Sequence, residues 1–308
     1  MRKGGVCFVS LLLAGSLAGY FSGMLPAQAM QRDDIISLAL DTRESGVVVE
    51  NAVMPPEDMV VRLTQCVRHA FSVAYEFYGY NYQEFVAGAK FMNNKGAYSG
   101  LDVEYAYHPE MPKGFAGDLV DGLLFQGRFA VGQVDYTGSG NFSGIDDHMY
   151  ELRALLTKTH SFAYDVSVTP FLGIGYRYLN DGLEQYTPGG YNRESRYLYV
   201  PLGVGLAKKF GDGWSLAMNL EYDHLIDGEQ QSHLEDVDPT VDTAINKQRT
   251  GYGVRASFKV AKDLTHRLSV FVEPFFRFWS IEKSDIKLSG YEPKNTTREV
   301  GLKVGVGF

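Results

Sequence analysis

Three short stretches of this 308-residue chain hold the residue types that catalysis uses: Asp146-Asp147-His148, Asp223-His224 and Ser232-His233. A carboxylate beside an imidazole can orient a general base, and a hydroxyl beside one can become a nucleophile. Spacing argues against each. Neighbouring residues of an extended strand point to opposite faces, so Asp147 and His148, or Asp223 and His224, do not meet on a strand. Ser232-His233 sits in a polar stretch without the strained turn that exposes a serine nucleophile. The stretch Glu235-Asp236-Val237-Asp238-Pro239-Thr240-Val241-Asp242 has carboxylates enough for a hard cation, yet lacks the central glycine and final glutamate of an EF-hand loop. No catalytic residue, metal site or cofactor is expected.

These residues need elements to position them. From Phe71 onward the chain repeats one pattern, an alternating apolar and polar run followed by a turn or a polar loop. The runs are Phe71–Glu84, Ala97–His108, Leu119–Tyr136, His148–Lys158, Asp165–Asn180, Glu194–Phe210, Trp214–Gly228, Arg249–Lys262, Arg267–Lys283 and Thr296–Phe308. Segments of about ten alternating residues in even number are those of an antiparallel up-and-down transmembrane β-barrel, of about ten strands, with both ends on the periplasmic side. Connections alternate accordingly. Gly211-Asp212-Gly213 and Asp263-Leu264-Thr265-His266 read as tight inner turns, and Asp181–Arg193, Glu229–Gln248 and Ser284–Asn295 as longer outer loops.

Period-two alternation assigns faces. In Trp214–Asp223 one face carries Trp214, Leu216, Met218, Leu220 and Tyr222, the other Ser215, Ala217, Asn219, Glu221 and Asp223. In the last run Val300, Leu302, Val304, Val306 and Phe308 face out, against Glu299, Gly301, Lys303, Gly305 and Gly307. A soluble β-sandwich alternates too. Runs longer than the roughly 5–6 residues usual for soluble strands, and aromatics gathered towards run ends, favour the barrel. Trp214, Trp279, Tyr80, Tyr82, Tyr176 and Tyr178 are the candidate girdle residues.

The same alternation turns charge inward at Glu76, Glu104, Arg128, Arg153, Arg177, Glu221, Arg255, Glu273, Arg277, Glu299 and Lys303. With both signs interleaved, these side chains can pair across a narrow lumen. Barrels of about eight strands fill with side chains and those of sixteen or more hold a channel, so a closed, ion-paired lumen is the leading expectation. A narrow ion or small-solute channel lined by the arginines, and a rim-located lipid or peptide hydrolase, are the alternatives.

The final run, closing on Phe308 behind Leu302, Val304 and Val306, resembles the terminal aromatic signal that outer-membrane barrels present to the barrel assembly machinery. Tyr176-Arg177-Tyr178-Leu179-Asn180-Asp181, Tyr197-Leu198-Tyr199-Val200-Pro201-Leu202-Gly203-Val204 and Glu292-Pro293-Lys294-Asn295-Thr296-Thr297-Arg298-Glu299-Val300-Gly301-Leu302 resemble a poorly characterised group of porin-like bacterial outer-membrane β-barrel proteins. That resemblance, from about Phe71 to Phe308, implies fold and location and brings no functional residues. With omptin proteases the chain shares strand number alone, because their paired aspartates and Asp-His pair depart from the spacing found here.

Ahead of the barrel, Arg2 and Lys3, an apolar stretch from Val6 to Leu17 and Ala27-Gln28-Ala29 read as a signal peptide over 1–29; as a membrane helix the apolar core is too short. Residues 30–70 form a periplasmic or plug segment. Within it Pro55-Pro56-Glu57-Asp58 and then Met59, Val60, Leu63, Cys66, Val67 and Ala70 have helical spacing behind an acidic start. Beyond that signal, 27 basic residues stand against 37 acidic, a net charge of −10, which disfavours nucleic acid as a partner. Cys66 is then the only cysteine, so no internal disulfide is expected. The expected partners are outer-membrane lipid and lipopolysaccharide, the assembly machinery, and an extracellular ligand at the surface loops.

Overall fold

The alternating runs become strands in the computed structural model, which describes residues 69–109, 119–185, 189–286 and 290–308. The expected signal segment, nearly all of the 30–70 segment, Cys66 included, and most of the Pro109–Asp118 connection lie outside the described residues. The strands are β1 (His69–Val86), β2 (Ala89–Tyr107), β3 (Gly122–Thr137), β4 (Asn141–Thr157), β5 (His160–Ser161), β6 (Val166–Asp181), β7 (Arg193–Lys209), β8 (Trp214–Ser232), β9 (Ala244–Gln248), β10 (Gly251–Thr265), β11 (Leu268–Ile281) and β12 (Lys294–Gly307). β5 is a two-residue addition to the end of β6. β9 and β10 both pair with β8 in one continuous register, broken only at Arg249-Thr250.

Ten antiparallel staves result, each bonded to its neighbours in chain order, and β12 returns to β1 from Ser72↔Gly307 to Phe85↔Lys294. Phe71 and Phe308 exchange backbone hydrogen bonds at 3.4 and 3.1 Å, finishing the seam. Closure leaves no sheet edge.

Several strands run further than the sequence suggests. β1 and β2 are joined by Ala87-Gly88 alone, with φ of 51° and 83°, the backbone of a type I′ hairpin. β3 and β4 are joined by Gly138-Ser139-Gly140. Likewise β8 and β9 take up nearly half of the expected Glu229–Gln248 loop, leaving residues 233–243 as its tip. The reason is common to all three. Beyond the bilayer a strand's outward residues become polar, as Asn93, Lys95 and Asp135 do, while its ladder continues. At the inner end Gly211-Asp212-Gly213 makes the expected tight turn, with φ of 59° at Asp212 and 72° at Gly213, and β10 and β11 are joined by His266-Arg267.

The outer wall is apolar all round. Phe77, Leu101, Phe129, Leu152, Ile174, Leu202, Leu220, Phe258, Val272 and Val300 stand out from it, each over 40 % exposed. So continuous a patch is not stable against water; it is the lipid-facing band of a barrel that spans a bilayer, which for single chains of even strand number is the bacterial outer membrane. No described helix is long and apolar enough to cross one. The band's outer border is a girdle in which Tyr150 stacks on Tyr178 and Tyr222 on Tyr252, with ring centres 4.8 and 6.2 Å apart, and His148 lies tilted against Tyr178 at 6.0 Å. Trp214, Tyr105 and Phe125 mark the inner border.

Three expected girdle residues are elsewhere. Tyr80, Tyr82 and Trp279 are buried in the lumen, because the period of two that turns Glu76 and Arg277 inward turns them inward too.

Candidate functional site

Halfway along, large side chains crowd the lumen. Tyr78, Tyr98, Met149, Tyr199 and Trp279 are at most 1 % exposed, and a charge network is packed among them. Each large ring has room because a glycine faces it on the next strand. Tyr98 pairs with Gly132, Tyr199 with Gly175, Trp279 with Gly253 and Tyr78 with Gly301. A Cβ on Gly132 would come within 2.5 Å of the Tyr98 ring, and one on Gly175 within 2.2 Å of the Tyr199 ring. Rings thus lie flat against the neighbouring stave and reach towards the axis.

All eleven charges read from the alternation sit on the lumen side, and most converge. Glu299 accepts from Arg128 Nη1 at 2.9 Å, Arg177 Nη2 at 2.7 Å and Arg277 Nη1 at 3.1 Å. Glu76 takes Arg277 Nη2 at 3.1 Å and lies 3.6 Å from Arg128. Towards the inner end Arg153 pairs with Glu221, and Lys259 bridges Glu104 at 3.5 Å and Glu273 at 3.1 Å. Lys303 meets Asp102 at 2.7 Å.

Asp102, Glu151 and Lys259 belong to this network although sequence reasoning did not single them out, and so does Asp223, which the alternation placed on the inward face but not among the lumen charges. Glu151 takes Arg255 Nη2 at 2.6 Å and the Tyr199 hydroxyl at 2.7 Å, and Asp223 takes Arg255 Nε at 2.6 Å. Parity marks all four as inward; their importance lies in which stave faces which across the lumen, and that depends on the barrel's stagger. The guanidiniums also stack, Arg128 5.5 Å from the Tyr78 ring centre and Arg255 5.4 Å from that of Tyr199.

On either side of this waist is a cavity. The inner one, about 360 Å³, is lined by Glu104, Gln126, Arg153, Lys259, Glu273 and Lys303. The outer one, about 400 Å³, is lined by Phe91, Tyr136, Phe142, Tyr191, Arg193 and Asn246. At the outer mouth Arg193 Nη2 donates to Glu84 Oε1 at 2.6 Å and to Glu292 Oε1 at 2.8 Å, tying the β11–β12 connection to the barrel wall. Burial, reinforced by the neighbouring Glu84 and opposed by Arg193, pushes the Glu292 carboxyl up to about 8.

The outer loops also hold one another. Asn192 N–H donates to Asp236 at 2.9 Å, and His233 N–H to the Asn192 carbonyl at 2.9 Å. The acids of the 235–242 stretch are used locally: Glu235 accepts from Thr243 Oγ1 at 2.5 Å, which holds its carboxyl below the usual range, and Asp238 accepts from Thr240 N–H at 2.9 Å. Among the described residues no three His, Cys, Asp or Glu side chains form a metal cluster.

The candidate catalytic groups do not come together. Asp147 and Asp223 are buried in the lumen, whereas Asp146, His148 and His224 are exposed on the wall. The His233 ring lies between Glu235 at 3.0 Å and Glu194 at 3.4 Å.

No protein-family model and no curated protein matches the chain. Among solved structures it is similar to the outer membrane protease OmpT from Escherichia coli, with a TM-score of 0.47, 10 % identity and coverage of 78 % of this chain and 96 % of that one. It is also similar to the outer membrane protein OprG from Pseudomonas aeruginosa, with a TM-score of 0.39, 12 % identity and coverage of 78 % and 95 %.

Proposed function

We propose that this chain is a closed outer-membrane barrel, non-enzymatic, that presents its outer loops for interaction or contributes to envelope integrity. The observation that carries this reading is the waist, where five large side chains and the Arg128, Arg177, Arg277, Glu76 and Glu299 network occupy the lumen with almost no exposure. A general pore needs an aqueous path, and a lumen filled by salt-bridged side chains provides a rigid wall instead. The cross-tied loops at the outer end support the reading further, since recognition is commonly carried by loops on a stiff scaffold. The division of the Asp-His pairs between the two faces of the wall supports a role without catalysis.

Planar-bilayer recording tests it. The refolded protein should insert without steady current; a reproducible unitary conductance would replace the scaffold with a channel.

A further inference from the structure

Ten carboxylates are buried among the described residues, and eight of them, Glu76, Glu84, Asp102, Glu151, Asp223, Glu273, Glu292 and Glu299, have a basic partner. The two that make no ion pair within 4 Å are Asp147 and Asp181, which are directly paired on β4 and β6; Arg193, which faces Asp181 from β7, is bonded instead to Glu84 and Glu292. Opposed residues on one face of an antiparallel pair hold their Cβ atoms about 4.5–5.5 Å apart, so the two carboxyl groups share one small space. They are 3 % and 6 % exposed.

Each is half satisfied. Asp147 Oδ2 accepts from the Tyr98 hydroxyl at 2.6 Å, and Asp181 Oδ2 from Asn94 Nδ2 at 2.8 Å. The Oδ1 atoms of both, the Oδ1 of Asn94, itself 3 % exposed, and the Oε2 of Glu184 in the turn after Asp181 are buried with no hydrogen-bond partner. Two buried anions side by side with oxygens left over is an arrangement that needs positive charge.

We propose that Asp147, Asp181 and Asn94 form a binding site for a hard divalent cation, of which calcium is the type. The donors are all oxygen, as such ions require. Two carboxylates balance one divalent charge, and the amide oxygen of Asn94 with water completes the shell, so the site does not need a third acid. Access is from outside. Met92 lies two residues before Asn94 on the same face, Leu183 two after Asp181, and Arg193 is paired with Asp181; all three line the outer cavity, which places the pair beneath its floor. The ion would join β2, β4 and β6 at the level just beyond the aromatic girdle.

The test is calcium titration by calorimetry on the full chain refolded in detergent and stripped with chelator, with terbium luminescence excited through tyrosine as a second probe. One ion per chain is expected, with a luminescence signal that calcium competes away. Asp147→Asn and Asp181→Asn should each weaken binding by about tenfold or more, because affinity follows ligand charge, while Asp146→Asn on the outer wall leaves it unchanged. Heat-modifiable gel mobility reports whether each variant is folded. Should either fail to fold, Asn94→Asp, which adds an anionic ligand, should tighten binding, and an unchanged affinity in that variant overturns the proposal. So does a wild-type protein that binds neither ion, or folded Asp147→Asn and Asp181→Asn variants that bind as wild type does. Absent binding together with single Asn variants more stable than wild type would assign the space to a shared proton and likewise reject the ion.

Discussion

Arg128 on β3 and Glu299 on β12 meet across the lumen at 2.9 Å, and Arg177 and Arg277 close on the same carboxylate. One anion thus holds three cations drawn from different staves. Glu299→Gln should destabilise the barrel by about 3–5 kcal/mol, the usual loss when one member of a buried ion pair is removed. Glu194→Gln, whose partner Arg196 is 36 % exposed at the rim, should stay within about 1 kcal/mol. Urea unfolding in detergent, followed by tyrosine fluorescence, separates the two.

The waist makes a second prediction. Trp279 and Tyr199 meet edge to face with ring centres 5.0 Å apart, and both lie over glycines, so nothing on the opposed stave can fill the space if they are removed. The double variant Tyr199→Ala, Trp279→Ala should leak ions in planar bilayers. Tyr222→Ala, which removes a ring of similar size from the outer wall, should not.

On the lipid face the cost of charge depends on depth. Met218 lies midway along β8 between Trp214 and Tyr222 and points outward. Met218→Arg should cost about 2–4 kcal/mol and Trp214→Arg at the border about 0–1 kcal/mol from charge burial, as measured by reversible unfolding from liposomes. Equal costs at the two depths would place the hydrocarbon elsewhere.

Glu292 brings pH dependence to the outer mouth. Its folded value of about 8 stands above the ordinary 4.5, so its contribution to stability is complete below the ordinary value and is lost as pH rises through about 8. Above that, Glu292 is anionic beside Glu84, with a single Arg193 between them. The Glu292 N–H, which donates to Ser284 Oγ at 2.9 Å, should therefore exchange with solvent faster at pH 9 than expected from base catalysis alone. Glu292→Gln should abolish the excess.

Much of this architecture is legible in the amino-acid order because a strand in a membrane barrel has only two faces. Glu76, Arg128 and Glu299 could be placed inside from their apolar neighbours alone. The same rule, carried through, would have moved Tyr80, Tyr82 and Trp279 from the girdle to the lumen. Strand ends were less visible, since outward residues beyond the bilayer are as polar as a loop, and Asn93-Asn94-Lys95 gives no sign that the ladder continues. Least visible were the partners of Glu151 and Asp181. Arg255 and Asn94 lie on staves remote in sequence, and only the stagger of the closed sheet brings them level.

The seam between β1 and β12 has a consequence for how the molecule forms. Every other stave pairs with one close in the chain, whereas Ser72 must find Gly307 and Phe85 must find Lys294. Local hairpins can form early, but the final ladder awaits the whole chain, and contacts of such long sequence separation make folding slow. Until then the sheet has two open margins, each able to pair with another molecule. The Glu299 hub spans that gap, taking arginines from β3, β6 and β11, so the tightest part of the interior cannot exist before the ring has closed. Unfinished intermediates would accordingly lack both the lipid-facing cylinder and its internal bracing, and the passage to the native state should be a single late, cooperative event.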